Sequence, residues 1–67
     1  MAAYRVFLTG DRVPLEVELY YDRLDDVMSD ASRARFITGH MANPDEHGVC
    51  RQVMIPTGRI HCVIEAD

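Results

Sequence analysis

The side chains best suited to bind a metal ion or to act as nucleophiles gather in the second half of this 67-residue chain. They are His40, Asp45, Glu46, His47, Cys50, His61 and Cys62. The spacing His47-x-x-Cys50 suits zinc, which binds both imidazole nitrogen and thiolate sulfur. No second close pair of ligands accompanies it, and adjacent residues such as His61 and Cys62 point to opposite faces of a strand. The sequence therefore predicts no metal site and no cofactor, with His47, Cys50 and His61 as the set to test.

A Cys–His nucleophilic pair is the other chemistry that these residues could perform. Cys50 could be activated by His47 or His61, because an adjacent base makes a thiol nucleophilic. The sequence marks no third group that would orient the base, and it contains no glycine-rich loop that could hold a phosphate. Glu16 and Glu18 share one predicted strand face and are typical of a solvated surface. We therefore expect a protein that is not an enzyme.

Arginine and aromatic side chains indicate a third kind of surface, one that stacks single-stranded bases. All seven basic residues are arginine, and Tyr20 is among the aromatic residues interleaved with them. The net charge of −4 weighs against a general nucleic-acid binder, which needs cations to neutralise phosphates. Aromatic side chains are also the usual material of cores and interfaces. Both interpretations of the aromatic residues therefore stay open.

The segment Val49–Glu65 organises the predicted fold, because two apolar runs flank the turn-forming sequence Pro56-Thr57-Gly58-Arg59. Proline pre-sets its φ for a turn, and glycine takes positive φ without a steric penalty. We therefore expect a terminal β-hairpin in which Ile55 pairs with Ile60. This register places on one face Val53, Ile55, Ile60, Cys62 and Ile64, and on the other Gln52, Met54, His61 and Val63. The second face is apolar enough to suggest a covered surface.

The same register bears on the two cysteines. It sets Cys50 opposite Glu65 and Cys62 opposite Val53, so that the thiols point to opposite faces of the sheet. A disulfide needs Cα atoms within about 7 Å and converging Cβ vectors. We therefore predict two free thiols that serve as packing residues, and a reducing, cytoplasmic location. The start of the chain also lacks the basic segment and apolar core of a secretory signal.

Alternating apolar residues predict two strands upstream, Tyr4–Thr9 and Leu15–Tyr20, joined by a turn at Gly10–Arg12. The period then changes to that of a helix, for which Asp22 is the expected N-cap. The apolar stripe of this helix consists of Leu24, Val27, Met28 and Ala31. Phe36–Met41 returns to strand character, and a turn over residues 43–48 precedes the terminal hairpin.

The order of elements is ββαβββ, and short connections favour antiparallel neighbours. We therefore predict an α+β fold, a single domain over residues 1–67 with an antiparallel bent sheet or open small barrel and one short helix packed on it. A domain of this size buries only about 60% of its unfolded surface, so it is marginal alone and oligomerisation is a common remedy. No apolar run approaches the roughly 20 residues of a membrane span, so no membrane partner is expected.

Two stretches of the chain resemble Sm-like small β-barrels, the fold of bacterial RNA chaperones. One stretch, Val6–Asp22, is a strand, a glycine turn and an apolar strand ending in aromatic-Asp; the other, Val53–Val63, is a pair of runs joined by four residues. Glu16 stands where that family usually has a glycine, and Asp26 stands near the position of its base-contacting asparagine. The helix follows the second strand instead of preceding the first. The resemblance implies a barrel geometry and an RNA-binding side with Arg59 as the contact.

These observations favour a small interaction module that is not an enzyme and that self-associates through a sheet edge. The expected partner is a second copy or another protein. The alternative is an RNA- or single-strand-binding small barrel, which the net charge disfavours. The residues expected to contact a partner or nucleic acid are Arg59, Thr57, His61, Met54 and Tyr20.

Overall fold

The computed structural model describes residues 1–66, in which five strands and one α-helix follow one another in the order ββαβββ. The strands are β1 (Ala2–Leu8), β2 (Leu15–Leu19), β3 (Phe36–Met41), β4 (Gln52–Pro56) and β5 (Ile60–Glu65), and the helix is α1 (Leu24–Ala31). A 3₁₀ turn, Thr57–Arg59, joins β4 to β5. The strands form one antiparallel sheet. The predicted α+β fold with one short helix is confirmed.

The predicted terminal hairpin is wrong, because β4 and β5 lie at opposite edges of the sheet, whose order is β4-β3-β2-β1-β5. Ile55 pairs with Ile37 on β3, and Ile60 pairs with Leu8 on β1. Each isoleucine gains an apolar cross-strand neighbour that is distant in sequence, and such pairs stabilise a sheet. The residues between the two isoleucines form a 3₁₀ turn instead of the β-turn that a hairpin would need.

The 3₁₀ turn also requires the sheet to bend. In a flat sheet of five strands the two edges would lie about 19 Å apart, given a spacing of about 4.8 Å between neighbours. Three residues with a rise of about 2 Å each span far less than that distance. The two edges must therefore approach each other at the end where β4 passes into β5. The sheet is consequently bent but open, and α1 packs against β3 and β5 beside the opening.

The core lies on the concave side of the bent sheet and draws on both secondary-structure types. Its fully buried side chains are Tyr4, Val6, Val17, Leu19, Val27, Ile37 and Ile55. The predicted first hairpin supplies four of them, since Tyr4 pairs with Val17 and the strand alternation places Val6 and Leu19 on the same face. Gly10 in its connecting turn has a φ of 90°, a conformation open to glycine and unfavourable for other residues.

The helix follows the predicted stripe with two corrections. Val27 is fully buried, and Leu24 and Ala31 pack against the core, but Met28 is 64% exposed. The N-cap is Arg23 instead of Asp22, and the Asp22 carboxylate accepts a hydrogen bond from the amino group of Met1 at 3.0 Å. The 8-residue helix is too short to persist alone, so its contacts with the sheet must hold it.

Tyr21 provides one of the contacts that hold the helix. Its hydroxyl donates a hydrogen bond to Oδ2 of Asp30 on α1 at 2.8 Å, and its carbonyl oxygen accepts one from the buried Tyr4 hydroxyl at 3.1 Å. Partial burial, and then the hydrogen bond and negative charge of Asp30, raise the pKa of Tyr21. The Tyr21 side chain therefore stays a neutral donor and connects α1 to the first hairpin.

An irregularity in β5 reverses the predicted faces of its second half. Phe7 pairs with Cys62 and Leu8 with Ile60, so His61 is an extra residue at a β-bulge. The bulge allows both Ile60 and Val63 to pack against the core although three positions separate them. Cys62 and Ile64 are consequently exposed, and their assignment to the buried face was wrong. Val63, which we expected on the outer face, is half-buried.

Candidate interaction site at the open edge of the sheet

The outer edge of β5 carries main-chain groups that no strand within residues 1–66 covers. The Ala66 N–H donates to the Ala3 carbonyl at 3.0 Å, which fixes the alternation of the β1–β5 ladder. In an antiparallel pair every second residue bonds to its neighbour, and the residues between point the other way. The N–H and carbonyl groups of Val63 and Glu65 therefore point away from β1. They form a short open edge that could accept another strand.

The opposite edge, on β4, is less suited to pairing. The Met41 N–H donates to the Arg51 carbonyl at 2.7 Å, and the Thr57 N–H donates to the Arg35 carbonyl at 2.8 Å. By the same alternation, the groups that point outward belong to Gln52, Met54 and Pro56. Proline has no N–H, and its presence blunts an edge against further pairing. Of the two edges, that of β5 is the more open.

A groove borders the β5 edge on the side of the helix. It has a volume of about 400 Å³ and lies between α1, the 3₁₀ turn and β5. Its lining is mostly apolar and consists of Leu24, Val27, Met28, Ala31, Ser32, Thr57, Ile60 and Val63. A strand added to a sheet edge directs alternate side chains to each face. The groove could therefore receive side chains of a strand that pairs with β5.

Two exposed side chains, those of Ile64 and Cys62, distinguish the outer face around β5. Ile64 is 47% exposed and Cys62 is exposed, while Phe7 beside Cys62 is half-buried. The neighbour of Ile64 on β1 is Arg5, whose Nε donates to Oε1 of Glu16 at 2.8 Å. Sequence reasoning missed Ile64 as a surface residue, because the assumed hairpin placed it inside. A bulge leaves no local sequence signal that would have corrected this.

Two of the predicted contact residues, Thr57 and Arg59, are engaged within the protein. The Thr57 hydroxyl donates to the carbonyl oxygens of Ala34 at 2.7 Å and Arg35 at 3.1 Å. Nη2 of Arg59 donates to the Thr9 carbonyl at 2.9 Å, and the Thr9 N–H donates back to the Arg59 carbonyl at 2.7 Å. These bonds hold the 3₁₀ turn against the chain before β3 and against the end of β1. Their first role is therefore structural.

Tyr20 and Met54 lie on the outer face of β2–β4, away from the β5 edge. They line a shallow depression of about 350 Å³ together with Thr38, Gly39, Gln52 and Val53. The Tyr20 ring meets the His40 ring edge-on with centroids 5.5 Å apart, and its hydroxyl lies 3.2 Å from Nδ1 of His40. The sequence predicted both residues as surface contacts, and they are 51% and 62% exposed respectively. The five predicted contact residues therefore lie in three places. Thr57 and Arg59 are in the 3₁₀ turn, Tyr20 and Met54 are on the outer face of β2–β4, and His61 is at the bulge of β5.

The residues with metal-binding chemistry do not assemble. Within residues 1–66, no group of three or more His, Cys, Asp or Glu side chains is placed to hold an ion. His47 and Cys50 lie in the connection between β3 and β4, whereas His61 lies on β5. Cys50 and Cys62 are free thiols, as predicted, but both are exposed and neither is a packing residue.

Asp45 organises the connection in which His47 and Cys50 lie. Its carboxylate accepts hydrogen bonds from Nε of Arg51 at 2.6 Å and from the N–H groups of His47 at 2.8 Å and Val49 at 3.0 Å. The Arg51 hydrogen bond, followed by those from the main chain, lowers the pKa of Asp45 below its ordinary value of 3.8. An ionised carboxylate at this position therefore holds the loop together.

Most arginine side chains are neutralised by carboxylates. The ion pairs are Arg5–Glu16, Arg23–Asp25, Arg33–Asp30 and Arg51–Asp45. Across the part of the chain that the structure describes, Arg12 and Arg35 have no ion-pair partner, and Arg59 contacts a carbonyl. Nucleic-acid binding draws on cations that are free to neutralise phosphates. This distribution of charge gives such binding little support.

No protein-family model, no curated protein and no solved structure shows a significant match to this chain. In residues 1–66, α1 is the sole α-helix and is far too short to cross a membrane.

Proposed function

We propose that this protein is a small non-enzymatic interaction module that associates with itself through the open edge of β5. The observation that carries the proposal is the combination of outward main-chain groups at Val63 and Glu65 with the exposed side chain of Ile64 between them. Main-chain hydrogen bonds would supply affinity, and side-chain contacts would supply selectivity. The location that we propose is the cytoplasm, where reducing conditions keep exposed thiols such as Cys50 and Cys62 free.

The small core supports the same proposal. Among the described residues, 1–66, seven side chains are fully buried, and in a domain of this size such a core leaves little stability in reserve. An added strand would give exposed Ile64 a cross-strand neighbour and would extend the sheet on one side. Association stabilises a folded state by mass action, because a partner that binds only the folded chain draws the equilibrium toward it. Oligomer formation is therefore expected to raise the midpoint of thermal unfolding as protein concentration rises.

The test is the solution mass of the protein over a wide range of concentrations, measured by size-exclusion chromatography with light scattering. We expect a mass above that of the 7.6 kDa chain at high concentration and dissociation on dilution. The variant Glu65→Pro removes an outward N–H without touching the ladder to β1, so it should favour the monomer. Gln52→Pro makes the same change on the β4 edge and should leave the mass unchanged. A wild-type chain that stays monomeric at all concentrations refutes the proposal.

A further inference from the structure

The geometry of the β5 edge favours pairing with the same strand of a second copy. We infer that β5 pairs antiparallel with β5 of a second copy about a twofold axis at Ile64, which joins two sheets into one of ten strands. The inference rests on the proposed self-association and adds the partner strand, the register and the size of the assembly. A twofold axis between two copies of one strand always produces an antiparallel pair, and such isologous dimers are the commonest closed assemblies.

The choice of β5 over β4 as the partner strand follows from the edges themselves. A β4 partner would present Pro56, which lacks an N–H, and then the 3₁₀ turn, which leaves the strand geometry. It would also present Gln52 and Met54 on its outer face, where β5 presents Cys62 and Ile64. Two β5 strands therefore offer more complete hydrogen bonding and better-matched apolar side chains than β5 with β4.

The register follows from the alternation and from the bulge. Main-chain groups that point outward on one copy can bond only to outward groups of the other. Val63 and Glu65 must therefore each pair with either Val63 or Glu65 of the second copy. The bulge at His61 limits the regular part of the strand on one side and β5 ends at Glu65 on the other, which leaves Cys62 to Glu65 for pairing. Within that segment, Val63 pairs with Glu65 of the second copy when Ile64 lies opposite its own counterpart. This register forms two hydrogen-bonded pairs, each contributing two main-chain bonds.

The side chains on the outer face fit this register. Ile64 would contact Ile64 of the second copy in a non-hydrogen-bonded pair, whose Cα atoms lie about 4.5 Å apart and whose side chains approach closely. On either side of it, Cys62 would face Ala66 of the second copy, a small residue that leaves room for sulfur. The Arg5–Glu16 ion pair would flank the contact on each side, since Arg5 is the β1 neighbour of Ile64. An apolar centre with charged borders is the usual anatomy of an interface.

The two Glu65 side chains set the strength of the contact. They would lie on one face, two residues apart along the strand and one strand spacing apart across it, or about 7 Å by 5 Å. Like charges within a Debye length of about 8–10 Å repel each other at ordinary salt concentrations. The dimer should therefore be reversible. Glu65→Gln should tighten the dimer about two- to threefold, and the difference should shrink at high salt.

Disulfide trapping tests the register directly. In a background of Cys50→Ser and Cys62→Ser, the variant Ile64→Cys places one thiol from each copy at the twofold axis. Diamide then accepts two electrons and two protons from the two thiols, which become one disulfide. We expect a covalent dimer on a non-reducing gel that forms at least about tenfold faster than for Met54→Cys in the same background, because pairing raises the effective thiol concentration.

A second arm uses the natural thiol. In Cys50→Ser alone, the two Cys62 residues would lie four residues apart along the strands, about 13 Å, which exceeds the reach of about 7 Å for a disulfide. Cross-linking should then be as slow as for Met54→Cys. Faster cross-linking through Cys62 overturns the register, and faster cross-linking through Met54→Cys overturns the choice of strand.

Light scattering on the unoxidised proteins separates the two proposals. A dimer that is trapped by Ile64→Cys supports both of them. A larger assembly, or a dimer that Ile64→Cys fails to trap, overturns the twofold β5 pair and leaves self-association standing. Circular dichroism of Ile64→Cys should match the wild type, since the replaced side chain is exposed on the outer face.

Discussion

Phe7 pairs with Cys62 across β1 and β5, and the next residue of β1 pairs with Ile60 instead of His61. This one-residue offset turns Ile60 and Val63 to the core and leaves Cys62 and Ile64 on the surface. An edge strand with an exposed isoleucine can pair with another strand unless a charged residue, a proline or a covering segment prevents it. The surface that we assign to self-association therefore depends on the bulge.

Thr57 should be important for stability although it was first expected to be a partner contact. Thr57→Val keeps the shape of the side chain but removes the hydrogen bonds to the carbonyls of Ala34 and Arg35. We expect a loss of about 1–2 kcal/mol in the free energy of unfolding by urea, typical of a side-chain hydrogen bond and its unpaired acceptor. Thr38→Val, on the exposed outer face, is the matched control and should change little. Equal effects at both positions would contradict the anchoring role.

Gly39 should tolerate no side chain, because β2 and β3 approach closely there. A Cβ at this position would overlap the main-chain carbonyl oxygen of Glu18 and would also press on the Leu19 side chain. Gly39→Ala should therefore cost about 2–4 kcal/mol of stability, since a main-chain strand would have to shift. Gly58→Ala is the control, because, apart from the adjoining residues of the chain, no described atom lies within 4 Å of a Cβ at that position. Unfolding curves that fall together for the two variants would contradict the close approach.

The sequence predicted the positions of the strands and the helix well, but it did not predict which strands pair. The period of apolar residues located the strands and α1 within a few residues, because which side chains face the core is a local property. The pairing of Ile55 and Ile60 was predicted wrongly, because their true partners Ile37 and Leu8 are distant in sequence. A proline–glycine turn between apolar runs is the usual signal of a hairpin. Here the chain passes from one edge of the sheet to the other, and Thr57 donates hydrogen bonds to carbonyl groups more than twenty residues away.

The candidate site shows the same division. Tyr20 and Met54 were correctly expected on the surface, since they alternate with core residues of regular strands. Ile64 was not, because the orientation of β5 beyond His61 depends on the bulge. Arg59 was expected to face a ligand. It instead donates a hydrogen bond to the Thr9 carbonyl, because β5 pairs with β1. The predicted hairpin did not include this pairing. Long-range pairing decided what local patterns could not.

Acid should loosen the loop that Asp45 organises. Its pKa is lowered in the folded state, so its contribution to stability is fully present above the ordinary value of 3.8 and is lost as pH falls through the lower folded value. We expect Arg51→Ala to move the pKa of Asp45 back toward 3.8, since the Arg51 hydrogen bond is the largest cause of the shift. A carboxyl-carbon NMR titration measures this, with Arg23→Ala as the control. An unchanged pKa in Arg51→Ala would contradict the assignment.

Single-stranded nucleic acid should not bind to the protein in a salt-dependent manner. The net charge is −4 and four of the arginines are paired with carboxylates, so few cations are free to release counterions from phosphates. The measurement is a fluorescence-anisotropy titration with a labelled RNA oligonucleotide at low and at physiological salt. Binding at low salt that weakens with added salt, and that Tyr20→Ala reduces, would instead support the RNA-binding alternative.

The most direct test of self-association through β5 compares two lysine substitutions by light scattering at a concentration where the wild type is an oligomer. Ile64→Lys places a charge at the β5 contact, and Met54→Lys places the same charge at a similarly exposed residue of the β4 edge. We predict that Ile64→Lys weakens association at least about tenfold and becomes monomeric, while Met54→Lys keeps the wild-type mass. An Ile64→Lys variant that retains the wild-type oligomer, or a Met54→Lys variant that dissociates in its place, would contradict the assignment of the interface to β5.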